Sequence, residues 1–407
     1  MESRPVLRSM MLAGVMIISL ATGAGVATAA PSAAPSTQTA IPRPDDDPFY
    51  RPPAGFEARP PGSVLRKREV KVSTYLIPTP VRAYQVLVRS TDVADRPIAT
   101  VSTIMVPLTA PASGKRTLLS YQSAIDSLGT HCNPSYELRT GLQKDSSAVA
   151  TALLNGWVAI QTDYQGPRMS WIAGKVAGRA TLDGIRAALA LPEAGLGPAA
   201  PVAAWGYSGG GHATAWAAQE QPAYAPELDV KAWVANAFTG DLRKTVEGID
   251  GGPFSGFALA AMVGLSREYS TLDPFNDKGK QLAERIGDDC VVELVAGNPF
   301  QRVNDYTRFD IYHNADVDAV LADNYVGTRA PKGPVLVQQS RFDEIVSPEY
   351  NRGSVADWCA RGANVEYHLS NVPEHITYAL ASVPYAVSWI SQRLHGVPTA
   401  GNCGRTS

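Results

Sequence analysis

Val202-Ala203-Ala204-Trp205-Gly206-Tyr207-Ser208-Gly209-Gly210, running on into Gly211-His212-Ala213-Thr214-Ala215-Trp216-Ala217-Ala218-Gln219, is the stretch that decides the fold. After Pro201, four apolar residues read as a short buried strand, and the Ala-rich run beyond Gly210 is helix-prone. Between them Gly206-Tyr207-Ser208-Gly209-Gly210 reads G-x-S-x-G, the pattern of a nucleophile elbow. There a serine sits under backbone strain on a sharp turn from strand to helix, with its hydroxyl exposed. The flanking glycines remove side chains that would clash in such a turn. In a chain with 35 Gly the pentapeptide alone is a weak signal. A strand before it and a helix after it make it informative.

Working outward, strand and helix signals alternate. Residues 70–76, 84–89 and 99–106 read as early strands, and 117–121 as another. Residues 148–154 read as helix, 157–160 as strand and 180–191 as helix. After the elbow, 232–235 read as strand. The pattern then breaks: residues 254–265 are apolar and helical, and strand-poor sequence follows. Strands resume at 334–338 and 365–369, ahead of a helix over 378–394. This alternation predicts an α/β fold, a mostly parallel sheet with helices on both faces, carrying an inserted helical cap. The expected division is 1–29 leader, 30–45 Pro/Ala/Ser-rich disordered linker, 46–239 first part of the core, 240–330 cap and 331–407 second part of the core.

The chain has 36 Lys+Arg against 38 Asp+Glu, and charged residues make up only 18%. No basic cluster is present, so nucleic acid is not expected as a partner. The near-neutral balance offers no steering field for a highly charged substrate. Arg4 and Arg8, the apolar run 10–21 and Ala27-Thr28-Ala29 have the order of a secretory signal peptide with its cleavage site. No later segment has the length of apolar residues needed to span a membrane. The expected product is an exported, soluble protein. Its four Cys (132, 290, 359 and 403) then imply two disulfides, with three pairings open. No C-x-x-C pair is present, and no metal is expected.

A serine hydroxyl needs an adjacent base, and the base an orienting carboxylate. On a fold of this kind the chain order is Ser, then Asp or Glu, then His. Among six His, His375 falls in the loop between strand 365–369 and the last helix, which favours it over His368 within that strand. His212, one turn beyond Ser208, reads as packing against the elbow helix, and His395 as the close of the last helix. The acid belongs after strand 334–338. Asp343 is favoured, with Glu344 as rival and Asp357 on a helix as the weaker choice.

The residues gathered so far resemble the secretory lipase family of α/β-hydrolases. The resemblance is carried by the elbow with Gly211-His212-Ala213-Thr214, by Tyr224-Ala225-Pro226-Glu227-Leu228 and by Asp47-Pro48-Phe49-Tyr50. Ser120-Tyr121-Gln122 with Asp126, Cys132-x-Pro134-Ser135-Tyr136 and Leu182-Asp183-Gly184-Ile185-Arg186 add to it. So do Gly251-Gly252-Pro253-Phe254-x-Gly256-Phe257, Asp343-Glu344-Ile345-Val346 and Glu374-His375. The family implies hydrolysis of carboxylic esters, typically acylglycerols, without a cofactor. By position it implies Ser208 as nucleophile, Asp343 as acid, His375 as base, and Gly209 with Asp126 as the oxyanion hole. It also implies disulfides Cys132–Cys290 and Cys359–Cys403. Phe254, Phe257, Leu259 and Met262, on the apolar helix of the cap, are the expected acyl-site residues. The substrate is then a small-molecule or lipid ester, with transient contact to a lipid interface. A short-chain carboxylesterase and a serine peptidase on the same fold are the alternatives.

Overall fold

A computed structural model describes residues 41–403, apart from 110, 112 and 113. The leader expected over 1–29 lies outside the described residues. Of the linker expected over 30–45, residues 30–40 likewise lie outside the described residues; in the described part Pro44 is buried in a 3₁₀ turn, Pro44–Asp46, and Asp45 accepts from the Thr130 hydroxyl.

Nine strands form one sheet: β1 (Val64–Val70), β2 (Val81–Thr91), β3 (Pro97–Pro107), β4 (Leu118–Gln122), β5 (Val158–Thr162), β6 (Val202–Tyr207), β7 (Val230–Asn236), β8 (Val335–Ser340) and β9 (Val365–Ser370). Their order is β1-β2-β3-β5-β4-β6-β7-β8-β9. The first three are antiparallel and β3 meets β5 antiparallel, and from β5 to β9 every pairing is parallel. The order of connection reverses between β4 and β6. At such a switch point, groups beyond the strands' carboxyl ends line a crevice.

Buried on both sides, the inner strands alternate between two cores. Leu118, Val158, Val202, Ala204, Val335 and Val337 pack on one face with helices α3 (Gly174–Ala190), α4 (Gly209–Tyr224) and α10 (Glu349–Ala360). Leu119, Ala159, Ala203, Trp205 and Leu336 pack on the other with α1 (Pro134–Thr140), α2 (Ser147–Leu154) and α12 (Val383–Leu394). This is the period-2 pattern of a sheet covered on both faces. Between β7 and β8 lie α5 (Leu242–Ile249), α6 (Ser255–Glu268), α7 (Asp277–Ile286), α8 (Val291–Gly297) and α9 (Ala315–Asp323), with a third core shared with Ile98, Leu128, Trp171, Ile172 and Val176. No described helix is long and apolar enough to cross a membrane.

Two expectations shift. The strand expected over 70–76 is β1, at Val64–Val70; Val-Leu-Arg-Lys-Arg-Glu-Val is an edge strand whose charges hide its alternation. The helix expected over 378–394 is two, α11 (His375–Ala381) and α12, because Pro384 has no N–H to continue a helix and favours the first turn of one.

Helices α3 and α4 pack closely because Gly178 has no side chain: a Cβ there would stand 2.8 Å from the Trp216 carbonyl carbon. Gly353, inside α10, faces open space apart from the Tyr325 hydroxyl at 3.5 Å. Gly178→Ala is therefore expected to destabilise by about 1–3 kcal/mol, as overpacking does. Gly353→Ala is expected to stabilise by about 0.5–1 kcal/mol, the ordinary helix effect. Urea unfolding of both variants checks the pair, and a stabilised Gly178→Ala would contradict the helix contact.

Candidate active site

Ser208 follows β6 and precedes α4, with φ 56° and ψ −123°, a conformation L residues rarely adopt. The surroundings leave no alternative. A Cβ on Gly206 would overlap the Gly210 carbonyl, one on Gly210 the Gln122 carbonyl at the end of β4, and one on Gly211 the Asn236 carbonyl at the end of β7. The Ser208 N–H donates to the Asn236 carbonyl at 3.0 Å. The turn is thus wedged between its two neighbouring strands, and the hydroxyl projects from the first turn of α4.

His375 opens α11. Its Nε2 lies 2.9 Å from Ser208 Oγ, and its Nδ1 lies 2.7 Å from Asp343 Oδ2. Asp343 follows β8 and is buried. Its Oδ1 accepts from the N–H groups of Ile345 and Val346, at 3.1 and 2.7 Å. Its Oδ2 also accepts from Gln339 Nε2 at 3.1 Å, so the carboxylate is fixed in its orientation. The His375 N–H donates to Glu344, and the Tyr207 hydroxyl donates to the His375 carbonyl. Glu344 thus holds the backbone of the histidine, while Asp343 holds its ring.

The other histidines stand elsewhere. His368 lies on β9 with Glu366 and Tyr385. His212 is buried with Nδ1 against the Thr239 carbonyl, and burial pushes its imidazole down to about 4, so it is neutral. Asp357 lies on α10 and accepts from Tyr325.

Asp126 lies in the loop after β4 at φ 45° and is buried. A Cβ on Gly209 would overlap its Oδ1, so the carboxyl lies directly over the residue that follows the serine. Trp171 Nε1 donates to Oδ1 at 3.0 Å. Desolvation by burial raises the Asp126 carboxyl above its ordinary value, against the lowering effect of Trp171. A carboxyl kept neutral in this way can donate a hydrogen bond.

Ser208, Gly209 and Asp126 line one wall of a cavity otherwise made by Trp171, Ile172, Leu242, Val246, Ile249, Phe257, Ala258, Ala261, Ile345 and Val346, with Thr239 and Thr245. A second apolar cavity inside the helical insertion shares Val246, Ala258 and Ala261 with it and continues to Met262, Leu265, Val303 and Leu321. Of the four residues expected on α6, Phe257 lines the first cavity and Met262 the second. Phe254 and Leu259 line neither: the helical period turns Leu259 into the core of the insertion, and Phe254 packs at its edge. Trp171 and α5 were missed because no local pattern marks them. Trp171 comes from the long segment after β5, and α5 reads as an ordinary polar-faced helix.

Cys132 is bonded to Cys290 and Cys359 to Cys403. The first joins the loop that carries Asp126 to the start of α8. Leu128 N–H reinforces it by donating to the Asp289 carbonyl at 2.9 Å.

This sheet, with a strained serine, a histidine and an aspartate at the carboxyl ends of its parallel strands, defines an α/β-hydrolase. The family profile described as Secretory lipase matches residues 135–402. The chain is 36% identical to a probable inactive lipase of Mycobacterium tuberculosis, over 89% of this chain and 85% of that one. It is 33% identical to a secreted triacylglycerol lipase of Malassezia globosa, over 89% and 84%. Among solved structures, Candida antarctica lipase A in its closed state superposes with a TM-score of 0.83 at 28% identity, covering 90% of each chain. The chain belongs to the secretory lipase family and is a lipase-type hydrolase of carboxylic esters.

The Cys132–Cys290 bond closes a separation of 158 residues. In the chain-entropy model a loop of this size contributes up to about 5 kcal/mol. The Cys132→Ser/Cys290→Ser double variant should lose more stability than Cys359→Ser/Cys403→Ser, which opens a separation of 44 residues. Thermal unfolding of the two double variants decides this, and the reverse ranking would contradict it.

Proposed function

We propose that Ser208 is the nucleophile, His375 its general base, Asp343 the orienting carboxylate, and Gly209 with Asp126 the oxyanion hole. The observation that carries the reading is the chain of contacts from Ser208 Oγ through both nitrogens of His375 to Asp343, ending in an apolar cavity. His375 Nε2 takes the hydroxyl proton as Oγ bonds to the ester carbonyl carbon. The tetrahedral oxyanion accepts from the Gly209 N–H at the start of α4, where the helix dipole favours negative charge. Asp126, as a neutral carboxyl, is the second donor. The proton on His375 passes to the leaving alkoxide, the alcohol departs, and water repeats the sequence on the acyl-enzyme. That all three groups are present and hydrogen-bonded supports an active enzyme.

The acyl chain lies in the first cavity, against Phe257, Ala258 and Ala261, and longer chains reach toward the second past Val246. Residues 240–330 form the cap that supplies both. The apolar lining supports acylglycerols and related lipid esters over short acetyl esters, and among the described residues Asp126 is the only carboxyl lining the first cavity, which gives a peptide amino terminus no separate acidic reader. Exposed Phe342, Ile376 and Leu380, beside the acid and the base, supply an apolar rim for transient contact with a lipid surface. The leader over 1–29, the two disulfides and the names of secreted relatives support export.

Ser208→Ala, His375→Ala and Asp343→Asn should each lower ester turnover by about 10⁴–10⁶, with combined variants little worse than single ones. Near-normal turnover by folded Ser208→Ala would reject the assignment. An acyl-length series of p-nitrophenyl esters, followed by emulsified triglyceride, separates lipase from short-chain esterase.

A second expectation concerns Asp126. Its donating form exists below its raised value and is lost as pH rises through it. The side-chain role therefore gives kcat an alkaline limb that Asp126→Asn removes, because an amide donates at every pH. Asp126→Ala should cost about 10²–10³ in kcat. Unchanged kcat in both variants would exclude the side chain from the oxyanion hole.

A further inference from the structure

Asp126 is a carboxyl in a strained backbone conformation, and such a conformation persists only where the surroundings over-determine it. One distant segment, residues 164–171 after β5, meets the loop on both sides of Asp126. The Tyr164 hydroxyl accepts from the Ile125 N–H at 3.3 Å and donates to the Ser123 carbonyl at 2.8 Å. Gln165 Nε2 donates to the Ser127 carbonyl at 2.6 Å. Trp171 is the hydrogen-bond partner of the Asp126 side chain among the described residues.

The indole packs on α6, and its segment is tied down by the end of that helix. Its ring lies 5.6 Å from that of Phe257, centroid to centroid, and Met169 and Ile172 flank it at φ 49° and 63°. Arg267, in the last turn of α6, donates to the carbonyls of Leu128 at 2.8 Å, Gly287 at 2.7 Å, and Arg168 at 3.3 Å. Glu268 accepts from Arg168 and from the Ser170 hydroxyl at 2.8 Å. The end of α6 therefore ties the Trp171 segment and the Asp126 loop together.

We propose that Trp171 is a positioning residue for ester hydrolysis: its indole N–H, held in place by Arg267, fixes which oxygen of Asp126 faces the oxyanion. An indole N–H only donates. Bound to Oδ1, it assigns that oxygen the acceptor role, and the carboxyl proton belongs on Oδ2. With the indole in place, Oδ1 is the oxygen nearer Gly209; without it the carboxyl can turn over, and the donor is correctly aimed only part of the time. The inference rests on Asp126 acting through its side chain.

The test is a double-mutant cycle in kcat on p-nitrophenyl acetate, whose short acyl group makes least use of the cavity. Trp171→Phe keeps an aromatic ring and removes the donor. It should lower kcat about tenfold with little change in KM, and weaken a trifluoromethyl ketone, whose alkoxide adduct occupies the oxyanion hole, by a similar factor. In an Asp126→Ala background the same change should cost nothing further. If Asp126→Ala itself leaves kcat intact, the oxyanion reading fails and this inference with it. If Asp126→Ala is impaired while Trp171→Phe alone keeps full kcat, or its loss persists undiminished in the Asp126→Ala background, the positioning role alone is overturned. Should Trp171→Phe not fold, Arg267→Lys takes its place, since a single ammonium nitrogen cannot reproduce the fork whose two nitrogens reach Leu128 and Gly287 separately. A loss of kcat that vanishes in Asp126→Ala supports the role, and unchanged or additive kcat overturns it.

Discussion

Everything at this site depends on how closely β4, β6 and β7 approach one another around the serine. Gly206, Gly210 and Gly211 meet carbonyl oxygens of the turn itself, of Gln122 and of Asn236, with no room for a Cβ at any of them. That contact holds Ser208 at positive φ and starts α4 at once, so a hydroxyl and a free helix N-terminus fall side by side. The strain is paid for by the sheet, whose inner strands are buried on both faces and cannot relax to relieve it.

From that fixed point the other groups arrive on separate supports. Asp343 comes from the end of β8, with its carboxylate oriented by two backbone N–H groups and Gln339. His375 comes from the end of β9, with its ring held by Asp343 and its backbone by Glu344. The loop after β8 thus orients both the acid and the histidine. Burial acts on two groups beside the elbow. His212 is neutral beneath the elbow helix, and Asp126 is pushed toward its neutral form above it.

The helical insertion does two things with one helix. One face of α6 supplies Phe257, Ala258 and Ala261 to the cavities, and its last turn supplies Arg267 and Glu268 to the loops beneath. On the proposed roles, acyl binding and oxyanion geometry share a mechanical part. The Cys132–Cys290 bond and the Leu128–Asp289 hydrogen bond close the same connection from the other side.

The sequence by itself determined the alternation that makes an α/β sheet, the elbow, and the positions of Asp343 and His375. Each is a local signal: an apolar strand ending in a polar loop, or a glycine-flanked serine between strand and helix. The family resemblance added Asp126 and the pairing of the cysteines. What only the tertiary structure decided is the surroundings. The charges of edge strand β1 mask its alternation, and α11 and α12 read as one helix across Pro384. Phe254 and Leu259 were assigned to the cavity because an apolar helix of nearly uniform composition does not announce which face it turns inward. Trp171 and Arg267 gave no signal at all. Trp171 meets Asp126 across 45 residues and Arg267 meets Leu128 across 139, and no local periodicity carries information over such separations. Chemistry placed at strand ends is written locally, whereas the shell that aims it is set by packing between segments distant in the chain.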